Sequence, residues 1–337
     1  MRLLRYGLRR LIFILPVLFG AIFVAFLLTR IVPGDPINKV AGPYTSLERK
    51  HEMKREAGLL DPFYVQFYHY VRQLAHGQMG TSYTTAQPVT KDLRQRFPAT
   101  FELVFYGMFV AIVLAIPLGV LSAVRRGTWF DQSARVFAVL GVSAPIFWIG
   151  MILLQFFYTR WSIMPAPSGR LPIMMDPPKQ ITGLYSVDAL LRGQWDVFWQ
   201  AFKALVLPVT TIAIVSMAPI ARMTRAMMIE ALDSDYIRTS RSMGLPARVI
   251  IFHHALKNAI IPVLTLIAGV FGYAIGGEVL VELIFTWPGL GLYSYNAIFN
   301  SDFPAIQGFI VLTTVIYIFI YLVVDLMTAV LDPRVEY

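Results

Sequence analysis

The stretch from Met228 to Pro262, MIEALDSDYIRTSRSMGLPARVIIFHHALKNAIIP, decides the fold because it is polar while the sequence on either side is apolar. It predicts two short helices separated at Gly244-Leu245-Pro246, since Gly permits the turn that ends one helix and Pro suits the first turn of the next. Its basic side chains are Arg238, Arg241, Arg248 and Lys257. A polar helical elbow between two membrane-length apolar runs is typical of a docking surface.

The composition places the chain in a membrane. Of its 337 residues, 57% are hydrophobic and 15% are charged, and the mean hydropathy is +0.62. A helix needs about 20 apolar residues to cross a bilayer. Six runs reach that length, at residues 11–32, 100–124, 134–158, 202–221, 259–281 and 305–331. Because these runs lack the alternation of barrel strands, we predict an all-α integral membrane protein with six transmembrane helices.

The distribution of Lys and Arg predicts the orientation of the chain. Basic residues lie at the amino terminus, between the second and third runs and in the elbow, whereas residues 282–300 contain none. The positive-inside rule therefore places both termini and the elbow in the cytoplasm. The first outer loop, 33–98, has nine basic residues but exceeds the length that the rule counts. The second outer loop mildly opposes the assignment through Arg160, Arg170, Lys179 and Arg192.

Several classes of function are excluded by what the sequence lacks. The net charge of +9 is explained by topology and by attraction to membrane lipid, and we predict no nucleic-acid partner because no basic and aromatic platform is present. The absence of cysteine excludes disulfides and thiolate metal sites. Ser143 has no histidine base in its run, and neither His51-Glu52 nor His253-His254 has the remaining ligands of a zinc site. We predict no catalytic residue and no metal site.

The elbow has one expected packing face and one exposed face. At helical spacing, the expected packing positions are Leu232, Tyr236, Thr239 and Met243 in the first helix and Val249, Phe252 and Leu256 in the second. Arg238 and Arg241 point the other way. On physical grounds alone, this exposed face is equally consistent with a docking surface and with a surface helix whose arginines only fix the topology.

Motifs along essentially the whole chain resolve this choice in favour of docking. They are Pro33-Gly34-Asp35-Pro36, Phe97-Pro98-Ala99-Thr100, Pro145-Ile146-Phe147-Trp148, Arg222-Met223-Thr224-Arg225, Trp287-Pro288-Gly289-Leu290-Gly291 and Leu331-Asp332-Pro333-Arg334. With DYIRTSRSMGL at 235–245 and HALKNA at 254–259, the chain resembles ABC-importer permeases of the peptide/nickel group, and dipeptide-permease B-type subunits in particular. It departs from the general signature Glu-Ala-Ala, three residues, Gly, of which Gly244 is the safest match.

This resemblance implies a type I ABC-importer permease architecture with a cytoplasmic coupling helix, located in the bacterial inner membrane. A first transmembrane helix and a periplasmic segment (1–96) would precede a five-helix core (97–331), whose coupling loop spans about 228–258, and a cytoplasmic tail (332–337). The implied partners are a second related permease subunit, two cytoplasmic ABC ATPase subunits and an external substrate-binding protein. The chain has no Gly-Lys-Ser/Thr phosphate loop, so ATP and Mg would be used by the ATPase subunits and no cofactor by this chain. The coupling residues would be Tyr236, Arg238, Arg241, Gly244 and Leu245.

The outer end carries two further groups of candidate residues. Trp287, Pro288, Gly289 and Gly291 suit a gate, a contact with the binding protein, or an ordinary turn with an aromatic anchor. Glu278 and Glu282 either meet the cationic amino terminus of a peptide or lie at the membrane interface. Glycines 269, 272, 276 and 277 predict close helix packing, either within this subunit or with the sister permease.

The expected cargo is dipeptides or short oligopeptides. Nickel chelates, glutathione, haem and antimicrobial peptides are alternatives, because similar systems carry them. An ion-coupled secondary transporter is the alternative class, although the sequence shows neither the internal repeats nor the midplane ion site of such proteins.

Overall fold

The computed structural model describes residues 2–31, 41, 45–56 and 58–331, with the backbone alone at 2–13, 31, 56 and 329–331. The motif at Pro33-Gly34-Asp35-Pro36 and the tail at 332–337 lie outside the described residues, as do the amino-terminal arginine side chains. The described part is helical, with one isolated β-bridge between Thr81 and Pro88.

The helices are numbered here in chain order. They are α1 (Arg2–Ile31), α2 (Leu47–Glu56), α3 (Phe63–Ala75), α4 (Val89–Val124), α5 (Trp129–Ser143), α6 (Ile146–Arg160), α7 (Tyr185–Leu191), α8 (Trp195–Leu232), α9 (Asp235–Ser242), α10 (Ala247–Gly277), α11 (Val279–Ile284), α12 (Leu290–Phe299) and α13 (Phe303–Leu331). The predicted boundary between the first segment (1–96) and the five-helix core (97–331) falls inside α4.

The described helices are compatible with six membrane crossings. Four of them, α4, α8, α10 and α13, are long and apolar enough to span a bilayer alone. Helices α5 and α6 pass this test only as a pair, bent by 103°. In α1, the apolar stretch Ile14–Arg30 is shorter. Because α4 and α8 contain 36 and 38 residues, each is about 55 Å long and extends beyond a hydrocarbon core of roughly 30 Å.

The third predicted span, residues 134–158, is not one continuous helix. Helix α5 ends at Ser143, Ala144 is extended with φ −79° and ψ 127°, and α6 begins after Pro145. A proline disfavours helical backbone in the residue before it and has no amide hydrogen to donate, so the helix breaks at this point.

The protein core lies between α4, α8 and α10. Fully buried side chains include Leu103 and Met108 of α4, Ile212 of α8 and Val263 of α10. The first two helices approach closely at Gly119, where a Cβ atom would lie 2.6 Å from the Cβ of Thr224. Small residues thus allow the two longest helices to pack backbone against backbone.

Helix α13 packs on the other side of α10. At Gly272 an added Cβ would overlap the ring of Tyr317, and at Gly269 it would lie 3.0 Å from the hydroxyl of Tyr321. Packing within one subunit therefore accounts for two of the four glycines. On the remaining flank, α3 lies against α1, where the rings of Phe63, Phe67 and Tyr70 contact Phe26.

Candidate functional site: the inner elbow and the outer ends of the spans

The inner elbow, named after the orientation predicted from the sequence, comprises residues 234–249. It consists of α9, the turn at Gly244–Pro246 and the start of α10. Gly244 has φ +73°, in the left-handed region that side-chain-bearing residues resist. Its amide donates to the carbonyl of Arg241 at 3.0 Å, and the amide of Leu245 donates to that of Ser240 at 3.3 Å. These bonds are typical of a glycine-terminated helix, as the sequence predicted.

A single side chain anchors α9 to the membrane helices. Ile237 is fully buried and packs in a cluster with Val120 of α4, Met228 of α8, and Ile250 and Ala255 of α10. The elbow therefore joins an apolar cluster that contains side chains from three spans.

The packing stripe expected for the first elbow helix is wrong at three of its four positions. Tyr236, Thr239 and Met243 are exposed, and Ile237 is the residue buried in their place. Leu232, the fourth expected position, lies at the end of α8 and is partly buried against the same cluster as Ile237. The buried face of α9 therefore lies one residue along from the expected stripe.

The second expected stripe is also displaced. Val249 and Phe252 are exposed, whereas Leu256 is partly buried as expected. Ile250 and Ala255, five residues apart, share the buried face because Ile250–Ala255 form a wider π-helical turn.

All five predicted coupling residues are exposed. Arg238 forms only an exposed ion pair with Asp235, at 3.2 Å, which contributes little in water. Around them, Met243 and Phe252 are 73% and 57% exposed. Exposed apolar side chains beside basic ones are typical of surfaces that contact another protein or the membrane.

A buried carboxylate joins α5 to α8. Asp131 at the start of α5 accepts hydrogen bonds from Nε and Nη2 of Arg225 on α8, at 2.6 and 2.8 Å. The hydroxyl of Ser122 and the amide of Gly127 donate to the same carboxylate. The sequence motif containing Arg225 was noted, but its partner, 94 residues away, was not.

At the opposite end, Glu282 organises the turn that follows α11. It is 1% exposed, accepts a hydrogen bond from the hydroxyl of Thr100 at 2.5 Å, and accepts another from the amide of Leu292 at 2.9 Å. The indole of Trp287 donates to the carbonyl of Ala99 at 2.8 Å. An added Cβ at Gly289 would overlap both the carboxylate of Glu282 and the hydroxyl of Thr100. We call this cluster the outer knot.

The outer knot distinguishes between the candidate residues at this end of the molecule, for which the sequence left several roles open. Trp287, Gly289 and Gly291 are buried within the subunit, and Pro288 is the exposed residue among the four candidates. Glu282 holds the knot together, whereas Glu278 is not part of it. The carboxylate of Glu278 lines a cavity between α8, α10 and α13.

A buried ion pair attaches the second outer loop to α4. Arg170 donates through Nη2 to Glu102 at 2.6 Å and to the carbonyl of Gly183 at 2.7 Å. The amide and hydroxyl of Ser186 donate to the other oxygen of Glu102, at 2.9 and 2.5 Å. Because Arg170 is 6% exposed and paired with Glu102, its charge does not count against the predicted orientation.

The same loop is closed by Asp188. Burial disfavours its charged form, but hydrogen bonds from the side chain and amide of Thr182 and from the amides of Ile181 and Gly183 outweigh that effect. The pKa of Asp188 therefore lies below its ordinary value.

Within the described residues, no group of three or more His, Asp or Glu side chains could hold a metal ion.

Comparisons with known proteins match nearly the full length of the chain. The family model described as "Binding-protein-dependent transport system inner membrane component" matches residues 115–337, and that described as "Binding-prot-dependent transport system membrane comp, N-term" matches residues 3–104. The "Probable D,D-dipeptide transport system permease protein DdpB" of Escherichia coli K12 is 42% identical over 94% of this chain and 93% of its own length.

Two further relatives carry the name "Dipeptide transport system permease protein DppB". That of Alkalihalophilus pseudofirmus is 39% identical over 99% of this chain and 100% of its own length. That of Escherichia coli K12 is 37% identical over 99% of each chain.

Proposed function

The chain belongs to the inner membrane components of binding-protein-dependent transport systems, and we propose that it is the permease subunit of an ATP-driven importer of dipeptides or short oligopeptides. The family makes it a multi-pass inner membrane protein. The cargo is proposed from the relatives named as dipeptide and D,D-dipeptide permeases, which align over at least 93% of their own lengths.

The observation that carries the proposed mechanism is the exposed elbow on a buried anchor. Ile237 fixes α9 to three spans, while Tyr236, Arg238, Arg241 and Leu245 face outward. A partner that grips these exposed side chains would therefore move α4, α8 and α10 together. This is the rigid-body type of transition that nucleotide binding drives in other assemblies.

We propose that the gripping partner is a pair of cytoplasmic ABC ATPase subunits, which use ATP and Mg, and that this chain binds no cofactor. A second related permease subunit would complete the path, and an external binding protein would deliver the peptide. In this assembly both termini and the elbow face the cytoplasm, in agreement with the basic residues on that side. Pro288, exposed beside the outer knot, is our candidate contact for the binding protein.

Reconstitution of the full complex in liposomes tests this function. Peptide uptake should require ATP, the binding protein and both permeases, and should continue when ion gradients are dissipated. Uptake by this chain alone, driven by an ion gradient, would show instead a secondary transporter.

A further inference from the structure

Glu278 occupies an unusual position at the end of α10. The helix ends at Gly277 and α11 begins at Val279, so Glu278 lies at the break between them. Its side chain is 7% exposed, and its Oε2 atom is buried without a hydrogen-bond partner. Because a buried carboxylate oxygen without a partner is costly, such a group is expected to have a ligand or a function.

The contrast with Glu282 is informative because the two residues are four apart. Glu282 is satisfied by Thr100 and by the amide of Leu292, so its burial is explained by the outer knot. Those bonds do not include Glu278, which lines a different space.

That space is a cavity of about 560 Å³ between α8, α10 and α13. Its volume lies within the roughly 300–1,000 Å³ of pockets that bind small molecules. Polar and aromatic lining residues include Ser216, Thr265, Tyr273 and Tyr321. Among the residues that line the cavity, Glu278 is the one acid and Met, Pro, Val and similar apolar side chains supply most of the remainder.

Three features of this cavity favour a cation. The carboxyl group of Glu278 can pair with an incoming cation as a carboxylate, and the carboxyl end of α10 adds the partial negative charge of a helix terminus. Tyr273 and Tyr321 also line the cavity, and an aromatic ring attracts an ammonium group that lies over its face. An anion would meet unfavourable electrostatics in the same place.

We propose that Glu278 binds the cationic amino terminus of the peptide as it passes through the cavity between α8, α10 and α13. This inference rests on the proposed function, since it assigns a recognition site to the path of that cargo. The ligand chemistry is a primary ammonium on a small zwitterionic peptide. Glu278 would thus favour cargo with a free amino terminus after the binding protein has released it.

The first test is a cycle of variants and cargoes in the reconstituted complex. Wild type is measured first with Ala-Ala, and ATP-dependent uptake there confirms the proposed function independently of Glu278. Uptake of Ala-Ala and of propionyl-alanine, which lacks the ammonium, is then compared in wild type, Glu278→Gln and Glu278→Asp. Asp196→Asn, which removes an exposed carboxylate at the start of α8, is the charge-matched control.

We expect Glu278→Gln to lower Ala-Ala uptake about tenfold while leaving propionyl-alanine uptake unchanged within twofold, and Glu278→Asp to retain most Ala-Ala uptake. The ratio of Ala-Ala uptake to propionyl-alanine uptake, compared between variants, isolates the interaction between carboxylate and ammonium. This holds because the same binding protein delivers each cargo to every variant. Equal losses for both cargoes, or no loss for either, would overturn the proposal.

A second measurement does not depend on transport. The chain has no cysteine, so Tyr273→Cys, at a position 72% exposed in the cavity lining, gives a single reactive site. We compare the rates at which a cationic and an anionic methanethiosulfonate reagent modify this cysteine. The ratio of the cationic to the anionic rate should be about ten times higher in Tyr273→Cys than in Tyr273→Cys/Glu278→Gln. Identical ratios in the two backgrounds would show that Glu278 does not make the cavity cation-selective.

Discussion

Replacement of Gly244 by valine should uncouple transport without disrupting the fold. Gly244 has φ +73°, and a Cβ atom added there would meet no other atom within 4 Å. The cost is therefore backbone strain alone, about 1–2 kcal/mol for a residue with a side chain in the left-handed region and more for a β-branched one. The turn can relieve that strain by opening, which would shift α9 relative to α10.

Such a shift acts directly on the exposed face that we assign to the ATPase. If the arrangement of α9 that contacts the ATPase is destabilised by about 1–2 kcal/mol relative to the shifted one, its population falls roughly 5- to 30-fold. Peptide uptake and binding-protein-stimulated ATP hydrolysis should fall by the same factor. Gly244→Asn should lose much less, because asparagine tolerates this conformation. Both activities are measured in proteoliposomes that contain equal amounts of complex.

Gly127→Val is the matched control for this prediction. Gly127 has φ +82°, also has no atom within 4 Å of an added Cβ, and lies in the connection between α4 and α5. It should therefore suffer similar strain and retain near-normal transport. Full activity in Gly244→Val, or an equal loss in Gly127→Val, would refute the assignment of Gly244 as a coupling hinge.

The outer side of the molecule gives three further predictions. Because the pKa of Asp188 is lowered on folding, the stability that this carboxylate contributes is present above the unfolded pKa of roughly 3.9 and is lost as pH falls below it. The difference in melting temperature between wild type and Asp188→Asn should therefore shrink between about pH 5 and pH 3. A constant difference would contradict this. Arg170→Met should lower the free energy of unfolding by about 3–5 kcal/mol, because it leaves the charge of Glu102 buried without its partner. In thermal unfolding, the double variant with Glu102→Gln should recover part of that loss. Additive losses would disprove the pairing. Gly289→Ala should destabilise the outer knot by about 1–3 kcal/mol, while Gly20→Ala, in open space on α1, should not lower the melting temperature; equal effects of the two would count against the knot.

The sequence predicted the elements that depend on local composition. Apolar runs identified the regions of the long helices α4, α8, α10 and α13, and Gly244-Leu245-Pro246 located the turn of the elbow. These features follow from hydrophobic length and from the backbone preferences of glycine and proline, which act within a few residues.

Packing faces were less predictable because they depend on where a helix begins and on its local winding. In the first elbow helix the buried residue is Ile237, one position from the expected Tyr236. In the second it is Ile250, one position from the expected Val249. Neither displacement changes the average composition of the segment. The break before Pro145 did have a local signal, the proline itself, but a continuous apolar run masked it.

The buried charge pairs had no local signal. Glu102 and Arg170 are 68 residues apart, and Asp131 and Arg225 are 94 apart. Such pairs form only when the long helices bring distant segments together, so hydropathy and spacing do not report them. The same holds for the separation of Glu278 from Glu282, which required knowledge of what each carboxylate contacts.

Photo-cross-linking tests the central claim most directly, namely that the exposed elbow is gripped by a partner ATPase. Since the chain contains no cysteine, Met243→Cys and Met174→Cys each provide one attachment point for a benzophenone maleimide, at positions 73% and 98% exposed. In the assembled complex, the probe at position 243 should form an adduct with the ATPase subunit whose yield changes with ATP, and the probe at position 174 should not. An active complex in which position 243 labels only the external binding protein, or in which position 174 labels the ATPase, would contradict the account.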